Sequence, residues 1–131
     1  MAVYTGPGPL TAAFLISEAN GMYRSREEVD VDGGEAGLDP GTLLKAPAGA
    51  GQPYTRAAAA ETPVAILWEG IPTWNPADGT YAALANVKRR TVVVRDAEVH
   101  KTELIYGTGS TGPQIAAADT ALRAIGIIPR L

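Results

Sequence analysis

The chain has 131 residues and a mass of 13.6 kDa, a size at which one domain buries about two-thirds of its unfolded surface and needs no metal or disulfide to hold it. With no cysteine and a single histidine, it excludes disulfide scaffolds, thiolate zinc sites, iron–sulfur clusters, cysteine nucleophiles and multi-histidine metal centres. A net charge of −3, from 11 basic and 14 acidic residues, argues against a partner gripped mainly through phosphates.

Fifteen glycines and ten prolines, 25 of 131 residues or about 19%, exceed the usual total of about 12% and predict short elements joined by many turns. The first 13 residues stand apart. Gly6-Pro7-Gly8-Pro9 cannot be helical, and each proline removes a backbone donor. Residues 1–13 are therefore expected to be an extended arm outside a domain spanning 14–131, with Ala2-Val3-Tyr4 and Leu10-Thr11-Ala12-Ala13 as apolar stretches on either side of the Gly-Pro step.

Phe14-Leu15-Ile16-Ser17 reads as a strand running into Asn20-Gly21, a dipeptide suited to a type I′ hairpin turn. A second strand is expected from Tyr23 to Val31, closed by Asp32-Gly33-Gly34. Asp39-Pro40-Gly41 is a turn in which proline presets φ and glycine takes the positive φ that follows; Thr42-Leu43-Leu44-Lys45 is a short strand after it. Residues 46–62 read as loop apart from Tyr54-Thr55-Arg56, and Ala57 to Ala60 are too few to nucleate a helix. Val64-Ala65-Ile66-Leu67-Trp68 is a continuous apolar run of the kind buried on both faces.

Residues 72–79 form a turn-rich excursion. Lys88-Arg89-Arg90, the longest basic run, reads as a solvated turn rather than a nucleic-acid patch, and Val92-Val93-Val94 is the strongest β-branched run. The stretch from Asp96 to Tyr106 fits either a strand or a helical turn. Thr111-Gly112-Pro113-Gln114 has the capping-box pattern with proline in the first turn. Ile115, Ala118, Leu122 and Ile125 then make one helical stripe, Gly126 is the expected stop, and Ile127-Ile128 before Pro129 is a terminal edge strand. The fold class is α+β and β-rich: short, mostly antiparallel strands, one C-terminal helix over about 112–125, and the N-terminal arm.

Chemistry-bearing constellations are weak. His100 with Asp96 and Ser110 lacks the setting of a nucleophilic site. Glu27, Glu28, Glu98 and Glu103 supply carboxylates with no spacing that faces two together, and Asp30-Val31-Asp32-Gly33-Gly34 lacks the later ligands of a calcium loop. Gly6-Pro7-Gly8 and Gly107-Thr108-Gly109-Ser110-Thr111-Gly112 lack a Walker lysine; the second reads as a flexible approach to a helix N-cap. Trp68 is assigned to the core, while Trp74, between Pro72 and Pro76, is a candidate for an additional interface. No cofactor, metal or catalytic residue is expected. No apolar window is long enough to cross a membrane, the N-terminus lacks a signal peptide's basic region, and synthesis in the cytoplasm is the default.

Phe14-Leu15-Ile16-Ser17-Glu18-Ala19-Asn20-Gly21 followed by Ser25-Arg26-Glu27-Glu28-Val29 resembles the N-terminal signature of the lambda-type bacteriophage head decoration proteins. The resemblance continues through Pro40-Gly41-Thr42-Leu43-Leu44-Lys45, where Leu44 replaces the usual glycine. It runs on to Ala65-Ile66-Leu67, to Val94-Arg95-Asp96-Ala97-Glu98-Val99-His100 and to Leu122-Arg123-Ala124-Ile125-Gly126-Ile127-Ile128-Pro129-Arg130. It implies a non-catalytic cement protein, a homotrimer on the outer surface of the expanded head at three-fold and quasi-three-fold positions. Its extended N-terminal arm would add to sheets of the major capsid protein, with no nucleic acid or membrane as partner. The arm residues so implied are Ala2, Val3, Tyr4, Thr5, Gly6, Pro7, Gly8, Pro9, Leu10 and Thr11. The other readings of the same residues are a surface carbohydrate-binding or adhesion module using Trp74 and Tyr81, and a small hydrolase around His100.

Overall fold

The computed structural model describes residues 11–19, 22–34, 37–71 and 87–131. Its larger sheet contains β2 (Arg26–Asp32), β3 (Leu43–Lys45), β4 (Thr55–Arg56), β5 (Ala65–Leu67) and β6 (Val87–Val93), in the spatial order β2-β6-β5-β3-β4. A smaller sheet has the order β1-β7-β8, from β1 (Leu15–Glu18), β7 (Ala97–His100) and β8 (Ile127–Arg130). All pairings are antiparallel except β7 with β8. A single helical turn, α1 (Met22–Ser25), precedes β2, and the long helix α2 (Gly112–Ala124) precedes β8. The β-rich α+β class is as the sequence predicts.

Side-chain alternation along the central strands feeds two cores. Leu43, Ile66 and Val93 point to one, where Phe14, Val99, Leu122 and Ile127 join them. Leu44, Ala65, Leu67 and Val92 point to the other, with Val31, Leu38 and Ile71. Successive strand residues face opposite sides, so a sheet covered on both faces needs unbroken apolar runs. β5, buried at all three positions, is such a run. The far edges of the larger sheet are brought together by Tyr54: its N–H donates to the Asp30 carbonyl at 2.8 Å, and its carbonyl accepts from the Asp32 N–H at 2.9 Å.

Local chemistry builds the connections. At the Asp39-Pro40-Gly41 turn, Gly41 has φ 92° and the Thr42 N–H closes onto the Asp39 carbonyl at 3.3 Å. A side chain at Gly41 would also meet the Glu103 carbonyl oxygen at 2.5 Å. Helix α2 starts with the expected capping box. The Gln114 N–H donates to Thr111 Oγ1 at 3.4 Å, and the Thr111 N–H donates to Gln114 Oε1 at 2.9 Å. It ends before Gly126, with φ 86°.

Three expectations change. Asn20-Gly21 lies outside the described residues, and the strands on either side of it do not pair with each other: β1 pairs with β7 and β2 with β6, and Met22–Ser25 is helical, so the second strand begins at Arg26. Lys88, Arg89 and Arg90 lie within β6 rather than in a turn, opposite the acidic strand β2. Arg89 sits across from Asp30 in the register with an ion pair of 3.6 Å, and Arg90 donates to the Gly70 carbonyl at 3.2 Å. Opposite charges on facing positions favour the pairing. Finally, Gly107 is not a loose approach to the helix, because a Cβ there would lie 2.3 Å from the Ala59 nitrogen and 2.5 Å from the Ala58 carbonyl carbon. The ambiguous stretch after Asp96 is both things in turn, strand β7 and then a 3-10 turn at Lys101–Glu103.

Gly107→Ala must push backbone against backbone. It should cost about 3 kcal/mol and lower the thermal midpoint by about 10 °C, measured by calorimetry on the purified chain.

Candidate functional site

Of the arm residues, Ala2 to Leu10 lie outside the described residues, as do Trp74 and Tyr81. What the structure describes is the root of that segment. Thr11 is exposed in a turn, and Phe14 at its end is buried in the core. The Ala12 N–H donates to the Trp68 carbonyl at 2.8 Å, and the Ala12 carbonyl accepts from the Leu15 N–H at 2.9 Å. Trp68, expected in the core, is only half-buried just after β5. It presents its ring edge-on to Phe14, with centroids 6.3 Å apart at 86°, and carries the Arg26 guanidinium 3.6 Å above its own centroid, a cation–π stack.

Arg26 is fixed in turn by a bidentate contact to Glu18, with Nε to Oε2 at 3.0 Å. The buried Ser25 hydroxyl donates to the same carboxylate. Burial opposes ionisation of Glu18, but the hydrogen bonds from Arg26 and Ser25 and the Arg26 charge outweigh it, holding this carboxyl below the usual carboxylate range. The N-terminal root, β1, β2 and the end of β5 are thus joined through one set of side chains.

The hydrolytic constellation is not assembled. Asp96 and His100 bracket a strand and stand about 13 Å apart at about 3.3 Å per residue; the Ser110 hydroxyl is turned to the Gly107 carbonyl at 2.6 Å. Glu27 pairs with Arg95 at 2.6 Å and Glu98 with Arg130 at 2.7 Å, while Glu28 and Glu103 are exposed. Asp30 pairs with Arg89, and Asp32 Oδ1 accepts from the Gly34 N–H at 2.8 Å. Among the described residues no three His, Asp or Glu side chains group as metal ligands.

Sequence reasoning missed Asp119, which is 4% exposed on α2. Its carboxylate accepts from the Tyr106 hydroxyl at 2.5 Å and pairs with Lys101 Nζ at 2.8 Å. Burial, then the Asp119 hydrogen bond and charge, raise the Tyr106 phenol above its ordinary value. A signal existed: position 119 lies four residues after Ile115 and three before Leu122, on the apolar stripe itself. This polar contact ties α2 to the segment after β7.

The sheet edges are guarded. β8 pairs with β7 through the backbone groups of Gly126 and Ile128, which leaves the backbone groups of Ile127 and Pro129, whose side chains are buried, on the open edge. Pro129 has no N–H, and the Arg123 guanidinium lies 3.5 Å from its carbonyl. β1 carries a bulge between Leu15 and Ser17, β2 is met by Tyr54, and β4 is two residues long. Bulges, proline and short strands each prevent a foreign strand from pairing.

Glu18 supplies a pH test of this root. Its folded-state pKa is depressed, so its contribution is present above the ordinary glutamate value of 4.5 and lost as pH falls through the lower folded value. The parent chain should therefore melt higher than Glu18→Gln near neutral pH, and the gap should close below about pH 4.5 in parallel thermal scans. Separately, Tyr106→Phe should cost about 1–2 kcal/mol by removing a hydrogen bond to a buried carboxylate.

No curated protein matches the chain, and no solved structure does. The family model described as "Bacteriophage lambda head decoration protein D" matches residues 5–127. That match takes in the larger sheet, β1 and β7 of the smaller one, helix α2 and the root of the N-terminal segment, ending at the first residue of β8, and so the chain belongs to the bacteriophage lambda head decoration protein family.

Proposed function

We propose that this head decoration protein acts as a cement on the outer surface of the expanded head, as a homotrimer at three-fold and quasi-three-fold positions. Each N-terminal arm, Ala2 to Thr11, adds to a sheet of the major capsid protein, and the shell is held against the pressure of its DNA. The protein's work in this reading is adhesion, without catalysis or cofactor, and Trp74 contributes a further contact.

The observation that carries the arm mechanism is the guarding of the described edges. A domain with Pro129, a bulge at β1 and Tyr54 across β2 is a poor acceptor of a partner's strand. Strand addition must then run the other way, with this chain as donor. Val3, Tyr4 and Leu10 offer side chains for fit while the main chain supplies hydrogen bonds. Three arms on one trimer make the second and third attachments intramolecular, which raises avidity by about 10² or more. A mildly acidic chain suits a partner that is protein, since the nucleic acid lies behind the shell.

Deletion of residues 2–10 spares the Ala12 hydrogen bond to Trp68. It should leave a folded trimer that no longer cosediments with undecorated expanded heads; full retention of binding rules out the arm mechanism. Light scattering of the parent should give about 41 kDa, three times 13.6 kDa, for the closed ring that three-fold symmetry requires.

A further inference from the structure

Eight described residues have positive φ, and six of them are glycines: Gly34, Gly37, Gly41, Gly51, Gly109 and Gly126. The seventh is Asp96 at 52°, a residue type that tolerates the left-handed region. The eighth is Ala12 at 56°, which has no side-chain polar group to compensate and is disfavoured there by its Cβ. Ala12 is held in this conformation from both sides. Its N–H is bound to the Trp68 carbonyl at 2.8 Å, and its carbonyl takes the Leu15 N–H at 2.9 Å. Behind Trp68 stand Arg26 and Phe14. A disfavoured dihedral persists only where its surroundings over-determine it, and such positions cluster where geometry serves function.

We propose that Ala12 is a positioning residue for shell binding: clamped between Trp68 and Leu15, it fixes the direction in which the preceding residues leave the domain. This rests on the arm reading above. A glycine at position 12 would relieve the steric conflict but widen the range of φ and ψ open to the root, so capture of the arm would have to order one more free residue. Alanine accepts local strain and narrows the exit. Stability and binding should consequently respond to the same substitution in opposite directions, which a residue with only a structural role would not show.

The test uses the full chain and expanded heads of its phage assembled without it. Ala12→Gly should melt at or above the parent temperature while its half-saturation concentration on the heads rises about threefold to tenfold. Replacement of Ala12 by D-alanine, through ligation at Ala13 with desulfurisation of a temporary cysteine, keeps positive φ without strain. That protein should melt above the parent and bind within about twofold of it. Parent-like or tighter binding by Ala12→Gly overturns the inference, as does a lower melting temperature for that variant or glycine-like weakening by D-alanine. The residue 2–10 deletion run beside them separates the two readings. If the deletion still binds, the arm mechanism itself fails; if it does not bind and Ala12→Gly binds like the parent, only the positioning role of Ala12 fails.

Discussion

Everything in this domain depends on the centre of the larger sheet, β3, β5 and the end of β6, being buried on both faces. Leu43 and Leu44 are neighbours in sequence yet serve different cores, as do Ile66 and Leu67, and Val92 and Val93. A slip of one residue in any of these pairings would exchange the two sets of side chains, so the register of β3, β5 and β6 is specified twice over. The demand also dictates the cover. Helix α2, through Leu122, and the small sheet, through Val99 and Ile127, close one side; Leu38 and Ile71, joined by reciprocal hydrogen bonds of 2.9 and 2.8 Å, close the other.

Charge is organised by the same pairing. Strand β2 carries Glu27, Glu28, Asp30 and Asp32, and strand β6 answers with Lys88, Arg89 and Arg90 in antiparallel register. Exposed ion pairs of this kind contribute little individually, about 1 kcal/mol or less. Their weight lies in choosing a partner, since a like-charged strand opposite β2 would be repelled. The longest basic run in the chain therefore lies in the strand paired with β2, where its middle residue, Arg89, stands directly opposite Asp30.

Features whose causes are local were legible in the sequence. The Pro40-Gly41 turn, the Thr111 capping box, the Gly126 stop and the wholly buried β5 each follow from a few contiguous residues. Asn20-Gly21 misled because turn chemistry permits a hairpin without selecting it; the partner of β1 is β7, about 80 residues away. The charge pairing of β2 with β6 was hidden for the same reason. Asp119 could have been found by helical spacing, and the buried contact with Tyr106 only by the tertiary fold. At the candidate site, Gly6-Pro7-Gly8-Pro9 lies outside the described residues, and nothing in Thr11-Ala12-Ala13 signals a left-handed alanine. Propensity argues against that conformation, and the Trp68 carbonyl that holds it comes from the residue after β5.

On the function proposed above, guarded edges and a donor arm form a consistent pair of constraints. In the proposed reading many copies crowd one shell, each bringing a segment able to add to a sheet. If β1, β2 or β8 were open edges, the first sheets such arms met would be those of sister copies, and free protein would chain together before reaching the capsid. A proline and an arginine at β8, a bulge in β1, and Tyr54 across β2 remove those acceptors. The capsid's sheets then become the better partner by exclusion as much as by fit, which is how specificity arises when the attractive interaction is mainly backbone hydrogen bonding and carries little sequence information.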